Sequence, residues 1–109
     1  MMASGKLTVT YGDGRPERVG DSGEVGVGPK GVTWSLKGAD GGLGVVRWDD
    51  VTRWSTHDLL EPRKLRAPKR WMQVTIAAAD DLVISLRTDP DSAAALTRQA
   101  RKTLPAEAR

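Results

Sequence analysis

The chain has 109 residues, of which 39% are hydrophobic and 28% charged, a composition that fits one folded domain and excludes an intrinsically disordered one. No apolar run approaches the roughly 18 residues of a membrane-spanning helix, and residues 1–6 lack the apolar stretch of a signal peptide, so a cytoplasmic location is expected. Cysteine is absent, which excludes disulfides and thiolate metal sites.

Arg63, Lys64, Arg66, Lys69 and Arg70 alone exceed the net charge of +3, so the chain is locally rather than uniformly basic. Arginine outnumbers lysine, while asparagine and phenylalanine are missing, a bias expected of a high-GC bacterial or phage genome.

Leu7, Val9 and Tyr11 alternate with Thr8 and Thr10, the period of a half-buried strand, and Gly12-Asp13-Gly14 supplies its turn. Residues 15–22 are polar and give no pattern that assigns them. Val25 and Val27 lead through Gly28-Pro29-Lys30-Gly31 into Val32, Trp34 and Leu36, which reads as a hairpin. Gly38-Ala39-Asp40-Gly41-Gly42 predicts a further turn, and 43–48 a fourth strand. After Asp49-Asp50, strands are expected over 51–59, 70–78 and 82–87. Pro62 and Pro68 hold the basic segment between the first two of these out of regular structure.

A helix is predicted over 90–104. Asp89 or Thr88 can cap it, Pro90 suits its first position, and Arg98, Arg101 and Lys102 complement its C-terminal dipole. Ala93, Leu96, Ala100 and Leu104 form a narrow stripe that can lie close against a sheet, and Pro105 leaves 105–109 as a flexible tail.

The predicted fold is therefore mainly β: a small antiparallel barrel or sandwich of about seven strands, capped by one C-terminal α-helix, in a single domain spanning 1–109. The run Gly31-Val32-Thr33-Trp34-Ser35 through Val45-Val46-Arg47-Trp48-Asp49-Asp50-Val51-Thr52-Arg53-Trp54 resembles bacterial pleckstrin-homology-like (PH-like) domains. The later strands and helix, 70–104, sit where that family places its last hairpin and capping helix. The resemblance implies a non-catalytic scaffold that binds peptides, proteins or lipid head groups. It names no ligand.

Catalytic and cofactor motifs are weak. Gly26-Val27-Gly28-Pro29-Lys30-Gly31 matches G-x-G-x-x-G, but a strand pattern follows instead of the helix a dinucleotide needs, so a hairpin turn is expected. Asp49-Asp50 and Asp80-Asp81 suit turns better than a cation site. His57 is the only histidine, and alternation separates it from Asp58, against a catalytic triad. No cofactor, metal or enzymatic activity is expected.

Trp34, Trp48 and Trp54 are expected to supply the core that phenylalanine would otherwise provide, while Trp71 could be core or surface. Arg63, Lys64, Arg66, Lys69, Arg70 and Trp71 are the binding candidates. A protein partner is the leading expectation, met at an edge strand or in the groove beside the helix. The alternative is an anionic surface, either phospholipid head groups or nucleic-acid phosphates, met by the basic loop. Against both stands a solvated loop whose charge only keeps the protein soluble. An enzyme is the third reading and requires Asp49 or Asp81 to converge on His57 in a pocket.

Overall fold

A computed structural model describes residues 1–38 and 41–108. Seven strands follow in chain order: β1 Met2–Thr10, β2 Arg18–Val27, β3 Gly31–Leu36, β4 Gly42–Arg47, β5 Val51–Glu61, β6 Lys69–Ala78 and β7 Leu82–Thr88. One helix, α1 Pro90–Arg101, comes after them. All pairings are antiparallel, in the order β4-β3-β2-β1-β7-β6-β5. The fold is thus the mainly β, helix-capped architecture that the alternation predicts.

Strands β4 and β5 are neighbours in sequence yet lie at opposite ends of this order. A three-residue 3-10 turn, Trp48–Asp50, joins them. So short a link spans only about 10 Å. The sheet must therefore curl until its two edges approach, which encloses the core without closing the ladder. At β1 the curl is eased by a register irregularity between Gly5 and Leu7. The space a side chain would need at Gly5 is taken by the Arg87 carbonyl, so only glycine lets β1 lie this close to β7.

The inner face gathers Leu7, Val9, Val25, Val32, Val74, Ile76, Ile84 and Leu86, each essentially inaccessible to water. Trp34, Trp48 and Trp54 join them at 6–7% exposure, as expected of a core built without phenylalanine. Two of the indoles find polar partners. Trp48 Nε1 donates to the Gly28 carbonyl at 2.8 Å, and Trp54 Nε1 to Thr97 Oγ1 at 3.1 Å. The second bond ties the helix to β5.

Helix α1 lies over the open end, against β1, β2 and β6. Its predicted stripe of Ala93, Leu96, Ala100 and Leu104 is buried. Asp89 is the N-cap, accepting from the Ser92 backbone N–H at 2.8 Å and from its hydroxyl at 2.6 Å. Those two bonds, the hydroxyl's first, hold the Asp89 carboxyl below its ordinary range. Thr88 does different work: its hydroxyl donates to the Ser4 carbonyl at 2.8 Å, inside the core.

Several boundaries differ from the sequence expectation. Residues 18–22, which carry no alternation, form the first half of β2: Arg18, Val19 and Gly20 pair with β1, Asp21 and Ser22 lie at the register irregularity, and the stretch is almost wholly in solvent. Trp48 leaves the strand and opens the 3-10 turn. Helix α1 ends at Arg101 instead of 104, although Leu104 N–H still donates to the Ala100 carbonyl at 2.9 Å. The expected flexible tail is folded back: Ala106–Ala108 makes a 3-10 turn against β5, and Ala108 is buried. Of the turn predicted over 38–42, Ala39 and Asp40 lie outside the described residues.

Candidate functional site

The β5–β6 ladder runs from Val51↔Ala78 to Glu61↔Lys69. Its first half belongs to the core. Beyond Thr56↔Val74, where Val74 is still fully buried, the inner positions become Asp58 and Leu60 on β5 and Met72 and Arg70 on β6. Burial stops there, and the hairpin continues past the core with both faces wet. The chain leaves the ladder at Pro62 and returns after Pro68, since neither residue has an N–H to donate.

The connecting residues 62–68 are all exposed. They are not shapeless. Arg63 Nε and Nη2 donate to the Ala67 carbonyl at 3.0 and 2.8 Å, clamping the loop across its base. Leu65 takes a left-handed backbone, φ 58°, which throws the apex outward. Its side chain is 105% exposed, as free of contact as in an extended peptide. Lys64 and Arg66 on either side have no partner among the described residues. An apex of one bare leucine between two free cations contributes nothing visible to stability.

The stem holds the other candidates. Arg70 Nη2 lies 3.3 Å from Asp58 Oδ1, with both side chains about two-thirds exposed, a pair worth little. Trp71 is half-buried and engaged within the protein. Its Nε1 donates to Glu61 Oε2 at 2.6 Å, Lys69 Nζ sits 4.0 Å from the ring centroid, and Arg87 Cζ sits 4.8 Å from it. Arg87 Nη2 also donates to Glu61 Oε2 at 3.3 Å. The Trp71 N–H bond, followed by the field of Arg87, Lys69 and Arg63, lowers the Glu61 carboxyl below its ordinary range.

Strand alternation puts Lys69, Trp71 and Glu61 on the outer face, and that face continues into two rows unread in the sequence. Lys6, Arg87, Gln73 and His57 stand opposite one another across β1, β7, β6 and β5. Thr8, Ser85, Thr75 and Ser55 form the next row. Lys6 and Arg87 are directly opposed like charges, and the Glu61 carboxylate 3.3 Å from Arg87 offsets part of their repulsion. A depression of about 200 Å³ opens here between Lys6, Thr8, Ser85 and Arg87. Only the strand order brings these residues together, and no local pattern encodes it.

The remaining motifs take structural places. Gly28 N–H donates to the Gly31 carbonyl at 3.0 Å, and the G-x-G-x-x-G segment turns from β2 into β3. Asp49 and Asp50 lie in the 3-10 turn, while Asp80 and Asp81 occupy left-handed positions, φ 63° and 59°, between β6 and β7. Among the described residues, no three histidine, aspartate or glutamate side chains gather as a metal site would require. The groove beside the helix exists, about 360 Å³ between Thr56, Met72, Ala93, Thr97 and Arg98. No described helix is long and apolar enough to cross a membrane. The chain matches no known family model, no curated protein and no solved structure.

Proposed function

We propose that the protein is a PH-like, non-catalytic binding module that docks on anionic membrane surfaces through the β5–β6 tip. The observation that carries this reading is Leu65, fully exposed at the apex between unpartnered Lys64 and Arg66. A phosphate-rich surface explains the cations, and a lipid surface also explains the leucine, which can enter the acyl boundary while the cations meet head groups.

The magnitudes are sufficient for reversible docking. Five cations near an anionic leaflet contribute on the order of 5 kcal/mol, at about 1 kcal/mol each. Burying one leucine adds roughly 2 kcal/mol. Together they correspond to a dissociation constant on the order of 10 µM. The outer-face pair Lys6 and Arg87 extends the same positive surface along the stem.

A nucleic-acid reading fits less well, because Trp71 is held by Glu61, Lys69 and Arg87 and offers no free stacking platform. A protein-binding reading has separate support in the bare edge strand β4, where Leu43 and Val45 are exposed.

The test is sedimentation with phosphatidylserine-containing and with neutral vesicles, at low and physiological salt. Binding is expected to the anionic vesicles only, to weaken with salt, and to be lost both in Leu65→Ser and when Lys64, Arg66, Lys69 and Arg70 become Ser. Equal binding by the Leu65→Ser variant, or none by the parent chain, overturns the proposal. Competition by duplex DNA that Leu65→Ser leaves unchanged favours the nucleic-acid reading instead.

A further inference from the structure

The two edges of the sheet are unequally protected. Strand β5 is interrupted by a register shift between Val51 and Arg53, bears Arg53, His57, Asp58 and Glu61, and is covered near its start by the Ala106–Ala108 turn. Each of these hinders the addition of a foreign strand. Strand β4 has none of them. Its register with β3 is unbroken from Gly31↔Arg47 to Leu36↔Gly42, and residues 42–46 contain neither charge nor proline. Its outer face presents Leu43 at 80% and Val45 at 64% exposure.

We propose that a second copy of this chain adds to the β4 edge, with antiparallel β4 strands pairing about a two-fold axis. Self-pairing demands that residues brought opposite one another lie on the same face, which restricts the axis to pass through a residue. With the axis at Gly44, each Leu43 lies opposite the second copy's Val45, and four exposed apolar side chains form one patch on the outer face. The inner face is equally suited. Gly44 has no side chain because the indole of Trp34 lies beneath it, while at Gly42 the Arg18 guanidinium lies nearest, with the rim of the Trp34 indole behind it. Glycine therefore meets glycine at the axis, where the indole lies, and Val46 of each copy comes opposite Gly42 of the other.

Charge placement points the same way. Arg47, the only ionic residue of β4, falls outside the paired segment, and the two copies of it lie at opposite ends. Shifting the axis to Val45 would put Arg47 opposite Leu43 instead. With the axis at Gly44 the strand is thus complementary to itself, as an isologous interface requires. The overlap is short beside the roughly 800 Å² per partner of a stable interface, so the association is concentration-dependent.

The test is sedimentation velocity of the full chain across a wide concentration range. The mass is expected to rise from 11.8 kDa towards twice that value. Leu43→Lys and Val45→Lys are each expected to hold the chain at the monomer mass without moving its unfolding midpoint, since both positions face solvent. The chain has no native cysteine, so a mixture of Leu43→Cys and Val45→Cys chains can be oxidised. Directly opposed strand residues lie within disulfide reach, and the mixture is expected to cross-link several-fold more than either variant alone. A constant 11.8 kDa at every concentration overturns the proposal and leaves the edge to a foreign strand. Association that survives Val45→Lys, or cross-linking indifferent to the mixture, also overturns it. None of these outcomes bears on vesicle binding.

Discussion

The root and the tip of the β5–β6 hairpin share one hydrogen-bonded ladder and differ in nearly everything else. At the root, Trp54 and Ile76 stand opposite each other and are almost fully buried. At the tip, Leu60 stands opposite Arg70 and Glu61 opposite Lys69, with water on both faces. The root is fixed by packing. The tip is fixed by its ladder, the Arg63 clamp and the Trp71–Glu61 bond, all of which hold backbone or stem. Lys64, Leu65 and Arg66 support none of these, and residues without a structural duty are where a binding role is to be sought.

The largest effect should come at the root. Trp54→Ala removes a buried indole and its bond to Thr97, and is expected to cost about 3–5 kcal/mol in chemical denaturation. Thr97→Val keeps the shape but strands the Trp54 N–H, which predicts a loss of roughly 1–3 kcal/mol by the same measurement. At the tip, Leu65→Ser should change stability by less than about 0.5 kcal/mol. An unfolding midpoint that falls as far in Leu65→Ser as in Thr97→Val would erase the contrast.

The smallest effect is a titration at the boundary. The Glu61 carboxyl is held below its ordinary value of 4.5, first by the Trp71 N–H. A lowered acid stabilises the folded form above its unfolded value and loses that contribution as pH falls through the folded one. Trp71 emission should therefore be flat from neutral pH down to about 4.5 and change only below it. Glu61→Gln, which retains an acceptor but no charge, should flatten the acid limb.

Much of the root could be read from sequence, because burial on one face forces apolar residues into alternation. Val32, Trp34 and Leu36 announce β3, and Ile84 and Leu86 announce β7, in this way. The capping helix was equally plain from Asp89, Pro90 and the stripe ending at Leu104. Where strands leave the core, the signal goes with it. Residues 18–22 are in β2 by backbone pairing alone, and no hydropathy pattern marks a strand whose sides are both wet. Ala106–Ala108 carries no signal in sequence beyond one small alanine, too little to mark the turn that buries it.

The candidate site divides along the same line. The cluster of cations in 63–70 is local and visible in any reading of charge. The left-handed turn at Leu65, the capture of Trp71 by Glu61, and the alignment of Lys6 with Arg87 depend on backbone geometry and strand order. Trp71 was open between core and surface in the sequence. It is neither, being a stem residue that joins Lys69, Arg87 and Glu61.

The central position of β1 has a consequence for how the molecule is made. Strands β1 to β4 form one meander and β5 to β7 another, each assembled from neighbours in sequence. Among the described residues, the ladder that unites them pairs β1 with β7, as in Lys6↔Arg87. A chain emerging from the ribosome can thus zip each meander as it appears, but β1 must wait with one edge open until β7 (Leu82–Thr88) has been synthesised. Closing so large a loop costs roughly 2–3 kcal/mol more than closing a hairpin, and it makes β1–β7 docking the expected slow step. Until that step, β1 is the strand most in need of protection from other chains.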